Sequence, residues 1–189
     1  EKLNFGPLAD GVMMSLRNSQ AMVGMGYLEA ISDKDILQVA QQQKAQGLNG
    51  RPNYVRDDIN KKQAMGRFGW KANQPSIRQQ IAAAFAADIG VTSSLYPLTE
   101  CMPVQHECLA AIKAPKPELR PDMWDALTFW TQALAVPERR DTDKPEVQRG
   151  EALFTSSGCA MCHVPEWRTG KYAAVPSIAN QRIRPYTDL

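Results

Sequence analysis

The sequence predicts a mainly α fold with long irregular loops, and three observations carry that prediction. Several stretches place apolar residues at helical spacing between recognisable start and stop signals. Proline is frequent at 13 residues, and with 12 glycines it breaks the chain between those stretches. Aromatics are only 7% of residues against an apolar fraction of 43%, so the core is expected to be completed partly by a buried group other than a side chain. A chain of 189 residues is long enough for one ordinary domain, or for one domain and part of another.

The first thirty residues are rich in Gly and Met and read as loop with short helical turns. Ser32 looks like an N-cap with Asp35 as a weak capping box, and Ile36, Leu37, Val39 and Ala40 form a stripe that fades in the Gln-rich run and stops by Gly47. Residues 47–75 read as irregular, with Gly66-Arg-Phe-Gly-Trp-Lys71 as a short strand or tight turn. A helix is predicted from about Ser76 to Ile89, with Ile77, Ile81, Ala84 and Phe85 on its stripe and Gly90 as its stop. A loop holding Cys101 and Cys108 follows. Pro121 suits the first position of a helix reaching about Val136, with Trp124, Leu127, Thr128 and Leu134 on one side. The charged, proline-bounded stretch after it reads as a linker, and a last helix is predicted from Pro145 to about Ser156.

Charge excludes some functions. A formal charge of +2, with Lys and Arg spread along the chain, argues against nucleic acid as a partner. No apolar run approaches the roughly 20 residues needed to span a bilayer, so no transmembrane segment is expected. The first residues lack the basic and apolar regions of a signal peptide, and the end shows no polar tail; both predict a segment of a longer protein.

The chemistry is concentrated in Cys159-Ala160-Met161-Cys162-His163, which has the C-x-x-C-H pattern of c-type haem attachment. Two thiols on one turn reach the two vinyl groups of the macrocycle, and the adjacent His is fixed beneath the iron. A thioredoxin-like pair would need a strand before it and a helix after, and here the predicted helix comes first, with Val164-Pro165 following. A zinc site would need a second ligand pair, and the spacing of Cys101 and Cys108 is wrong for a zinc knuckle. Haem c bound covalently by Cys159 and Cys162, with His163 as axial metal ligand, is therefore the expected cofactor. Val147 to Phe154 leading through Gly158 into the motif resembles the helix that precedes it in small cytochrome c domains, where Gly150 would permit close helix crossing and Phe154 would pack near the haem.

The sixth iron position separates electron carriage from catalysis. Met102, Met123 and His106 are the upstream candidates, Tyr172 and Tyr186 weaker ones, and for each a packing or surface role competes. Cys101 and Cys108 suit a small disulfide loop, because haem attachment of this type happens outside the cytoplasm, where disulfides persist; two free buried thiols are the alternative. Trp70 is a candidate electron relay, against a packed aromatic with its N–H hydrogen-bonded. Asp88, Glu100 and Glu107 lie near these segments and read as solvated carboxylates.

The order of motifs resembles a family. Gly66-Arg-Phe-Gly-Trp-Lys-Ala72 through Gln79-Gln80, Asp88-Ile-Gly-Val-Thr-Ser93, the paired Cys101 and Cys108, Gly150-Glu-Ala-Leu-Phe154, the C-x-x-C-H motif and Ile183-Arg-Pro-Tyr-Thr-Asp-Leu189 together resemble the bacterial di-haem oxidoreductases, also labelled thiol oxidoreductases and related to di-haem cytochrome c peroxidases. The resemblance runs from about Tyr27 onward. It implies a longer parent with a second haem c attached before this chain begins and a His-containing segment after Leu189. Similar members carry an Asp- and Gly-rich stretch where this chain reads Gln41 to Pro52; acidic oxygens suited to calcium are absent there, so no further metal site is carried over.

The resulting expectation is a central helical region over 1–136, a linker over 137–145 and the start of a cytochrome c-like helical haem domain over 146–189. Its expected function is electron transfer coupled to oxidation or peroxide reduction at a di-haem centre, outside the cytoplasm and with a redox partner protein. A periplasmic electron carrier without substrate chemistry, and a haem-containing interaction or sensor module, are the alternatives.

Overall fold

Helices dominate the computed structural model, which describes residues 8, 10–98, 101–111 and 113–189. Glu100 lies outside the described residues. Six α-helices run in chain order among them: α1 (Met25–Glu29), α2 (Asp33–Ala45), α3 (Ile77–Ile89), α4 (His106–Ala110), α5 (Pro121–Ala133) and α6 (Pro145–Ser156). The named strands are short and form two antiparallel pairs, β1 (Tyr54–Asp57) with β2 (Lys62–Met65), and β3 (Trp167–Arg168) with β4 (Arg182–Ile183).

Local signals explain most helix ends. The Ser32 hydroxyl accepts from the Asp35 amide at 3.2 Å and donates to the Asp35 carboxylate at 2.7 Å, so the pair caps α2 through side chains. Ser76 caps α3 in the same way by accepting from Gln79 N–H, and Gly90 ends it in the left-handed region at φ 70°. Helix α5 stops at Ala133, short of the predicted Val136. Leu134 turns extended and its carbonyl accepts from Gly24 N–H at 3.2 Å, while Pro137 disfavours a helical Val136.

The main correction falls in residues 47–75, where the β1–β2 hairpin stands in place of an irregular stretch. Its register pairs Tyr54 with Met65 and Asp57 with Lys62. The turn is held by the Asp57 carboxylate, which accepts from the Ile59 and Asn60 amides at 3.0 and 2.9 Å and from the Asn60 side chain at 2.7 Å. Gln79, 2% exposed, then pins the hairpin to α3 by donating to the Arg56 carbonyl at 3.1 Å and accepting from Asp58 N–H at 2.8 Å.

Three apolar clusters form the core. Phe68, Ile77, Ile81, Ala82, Leu119 and Trp124 join α3 to α5. Ile31, Ile36 and Met65 close around Trp167, and Ala30 packs with Val175 and Ile178, so the late segment covers the early one. Gly26 is what lets α1 lie on α5: a Cβ there would stand 2.0 Å from the Gln132 carbonyl oxygen. Glu29 ties the same region together. Its carboxylate accepts from Ile77 N–H at 2.7 Å, from the Gln132 amide at 2.9 Å and from the Tyr172 hydroxyl. Among the described residues no helix crosses Gly150 closely, and a Cβ added there would meet nothing within 4 Å.

Candidate functional site

Cys159, Cys162 and His163 follow α6 with one reversing residue between. Gly158, at φ 85°, turns the chain into a single 3-10 turn over Cys159–Met161. The Cys159 carbonyl accepts from both Cys162 N–H at 3.3 Å and His163 N–H at 2.9 Å, so the motif closes on itself. Both thiols are free and exposed, the Cys159 sulfur lying 3.4 Å from the Ser157 hydroxyl.

The imidazole of His163 is oriented from one side. Its Nδ1 lies 3.2 Å from the Tyr186 carbonyl oxygen. A carbonyl only accepts, so a bond here needs the proton on Nδ1, and in the neutral ring that tautomer leaves the Nε2 lone pair for a metal. Phe154 of α6 packs edge-on against both rings, 6.2 Å from His163 and 5.3 Å from Tyr186 between centroids. The Tyr186 hydroxyl donates to the Glu151 carboxylate at 3.3 Å. Phe154 therefore sits beside the motif as its helical position predicts.

Sequence reasoning missed the residue that braces this turn. Gln43 of α2 is 6% exposed, and its amide donates to the Met161 carbonyl at 2.9 Å and to the Asp188 carboxylate at 3.3 Å. The Trp167 indole N–H donates to the Thr187 carbonyl at 2.8 Å. Residues 187 and 188 are thus anchored right beside Tyr186. The signal was available, because Gln43 continues the stripe of Ile36, Val39 and Ala40 at helical spacing, where a polar residue implies a buried partner.

A larger cavity of about 1550 Å³ opens beside this segment. Trp70, Phe85, Asp88 and Gln80 line it, and Thr187 and Leu189 form another part of its wall. The Gln80 carbonyl oxygen is buried without a hydrogen-bond partner. Trp70 is 53% exposed on the wall rather than packed in the core, with the Arg17 guanidinium 6.0 Å from its ring centroid. The cysteines and His163 do not line this cavity; it meets their surroundings through residues 181–185 and 187–189, on either side of Tyr186.

The remaining candidates are placed as follows. Cys101 and Cys108 are disulfide-bonded, 5.8 Å apart at Cα, and carry α4 with His106 and Glu107 exposed on it. Met102 and Met123 are exposed, and neither they nor His106 line the cavity. Both tyrosines proposed for the sixth position are committed elsewhere. The Tyr172 hydroxyl donates to Glu29, and burial, then the hydrogen bond to Glu29, push its ionisation above the usual range. Tyr186 serves the same imidazole from its Nδ1 side.

Among the described residues no three His, Cys, Asp or Glu side chains are placed to hold a bare metal ion. Two accessible thiols on one turn and an imidazole with a free Nε2 fit a c-type haem. A family model described as "Di-haem oxidoreductase, putative peroxidase" matches residues 2–189. No curated protein and no solved structure matches the chain.

Proposed function

The chain belongs to the di-haem oxidoreductase family, and from that premise we propose that it holds one c-type haem through Cys159, Cys162 and His163 and passes electrons through it. The observation that carries this reading is the approach of His163 Nδ1 to the Tyr186 carbonyl beside two free thiols on one closed turn. When bound, haem supplies one-electron exchange at iron. The chain's own residues do the rest. Cys159 and Cys162 would hold the macrocycle edge by thioether bonds, and His163 would offer Nε2 to the iron. Tyr186 keeps the Nδ1 proton in place, and Phe154 presents an apolar wall beside the imidazole.

We assign the cavity lined by Trp70 to the second haem that the family name implies, with Trp70 as a relay residue between the two centres. Its volume of about 1550 Å³ and the rings of Trp70 and Phe85 on its wall support a large, flat group there. The proposed reaction is oxidation of a substrate or reduction of peroxide, with electrons exchanged with a redox partner protein. The site is extracytoplasmic in this reading, because thioether attachment and a persistent disulfide both belong outside the cytoplasm. Among the described residues no helix is long and apolar enough to cross a membrane. Residues 146–189 are read as the start of a cytochrome c-like domain reached through the charged linker over 137–145.

The test is maturation in a periplasm equipped for haem attachment. The expected product is heavier than the polypeptide by one haem for this motif and gives a c-type reduced spectrum, both lost in Cys159→Ala/Cys162→Ala. A mass equal to the bare polypeptide overturns the proposal. An iron that stays six-coordinate and inert to peroxide in the di-haem protein would leave the electron-carrier alternative standing.

A further inference from the structure

We propose that Gln43 is a positioning residue for the haem ligand: from α2 it holds the Tyr186 carbonyl against His163 Nδ1, and so lowers the potential of the haem. The proposal rests on the haem reading above and goes beyond it, because Gln43 lies outside every cysteine or histidine motif of the chain.

Three observations converge. Gln43 is a buried amide that spends its donor on the attachment turn, at the Met161 carbonyl, and on Asp188. Asp188 and Thr187 are the next two residues after Tyr186, and Thr187 is separately held by the Trp167 indole. Tyr186 itself sits at φ 53°, where a side chain-bearing residue is uncommon, and it is kept there by Phe154 and Glu151 on α6. The turn and the 186–188 segment therefore share one brace from α2. Loosening that brace lets the carbonyl drift from Nδ1–H, whose hydrogen bond at 3.2 Å has little distance to spare.

The consequence for iron follows from electron donation. An imidazole that donates Nδ1–H to a carbonyl is a more basic ligand at Nε2. A more basic axial ligand favours ferric over ferrous iron and lowers the potential. Weakening one ordinary hydrogen bond shifts that preference by roughly threefold to tenfold, and the tenfold end corresponds to about 59 mV for one electron.

The experiment compares matured holoprotein of the wild type with Gln43→Met, Tyr186→Phe and Tyr186→Gly, by haem content, mass and potentiometric titration. Gln43→Met keeps length and volume while losing the donor, and is expected to retain haem with a raised potential. Tyr186→Gly removes the clamp and is expected to raise it further; Tyr186→Phe, which loses only the bond to Glu151, less. Asp57→Asn serves as control, because it weakens the distant hairpin turn and should leave the potential where it is. If Tyr186→Gly fails to fold, Gln43→Met and Tyr186→Phe decide the matter. Full haem content with unchanged potential in Gln43→Met overturns this inference alone, whereas a wild type without haem overturns the reading beneath it.

Discussion

Replacing Glu29 should separate two parts of the chain that sequence places far apart. Its carboxylate serves the first amide of α3, the Gln132 side chain on α5 and the Tyr172 hydroxyl, 143 residues away. In Glu29→Leu all three donors lose their acceptor. Ile77 is 0% exposed, so its amide finds no water and costs about 1–3 kcal/mol. Gln132 and Tyr172 are partly exposed and recover some solvation, which brings the whole change to roughly 2–5 kcal/mol. That is a large share of a domain stability of about 5–15 kcal/mol.

Glu29→Gln should cost less, about 1 kcal/mol, since the Gln132 amide can flip and the Tyr172 hydroxyl can turn to accept. Denaturant unfolding of Glu29→Gln, Tyr172→Phe and the double variant gives the coupling directly, expected at about 0.5 kcal/mol or more. A second readout comes from alkali. Burial first, and then Glu29, raise the Tyr172 ionisation above its ordinary value near 10. The unfolded chain therefore releases that proton near pH 10 while the folded chain keeps it. Stability from this group is complete below pH 10 and falls above it, by at most about 1.4 kcal/mol per pH unit and less here because Tyr172 is only half-buried. Tyr172→Phe should flatten that slope. Additive single variants and an alkaline slope unchanged in Tyr172→Phe would refute the reasoning.

Other expectations are simpler. Gly26→Ala puts a methyl 2.0 Å from a backbone oxygen and should lower stability by about 1–3 kcal/mol, whereas Gly150→Ala, facing open space within a helix, should raise it by about 0.5–1 kcal/mol; thermal melts of the pair show both signs. For Asp57, burial disfavours its charge, but the Asn60 side chain, the Asn60 and Ile59 amides and Lys62 hold its pKa below the ordinary value. Its contribution is therefore present above about pH 4 and lost as pH falls through the lower folded value, so the stability gap between wild type and Asp57→Asn should be full at pH 7 and close in acid. Cys101→Ser/Cys108→Ser should open a protease site within 101–111 while leaving the melting temperature nearly unchanged, because α4 buries no residue.

The helices were legible where caps and stripes agree. Ser76, Ile77, Ile81 and Gly90 marked α3 from end to end, and Pro145 marked the start of α6. The hairpin was not, because only Asp57 and Met65 of its strands are buried and its register depends on Gln79 from a distant helix. Polar residues acting through long-range contacts were the common omission. Gln43 looked like part of a glutamine run, and Glu29 like the end of a loop, until their partners came near. The thiols and imidazole of the Cys159–His163 turn stood out because the pattern they form is one of local spacing. The carbonyl that orients the imidazole comes from 23 residues further on and has no signature of its own.

The cluster of Ile31, Ile36 and Met65 is closed by Trp167, which the ribosome adds about a hundred residues later than Met65. Until then the early half must carry an uncovered apolar surface, and contacts of such long sequence separation form slowly. An early half left in that condition is open to aggregation until residues near the end of the chain dock on it, so folding and solubility here hinge on a tryptophan made late.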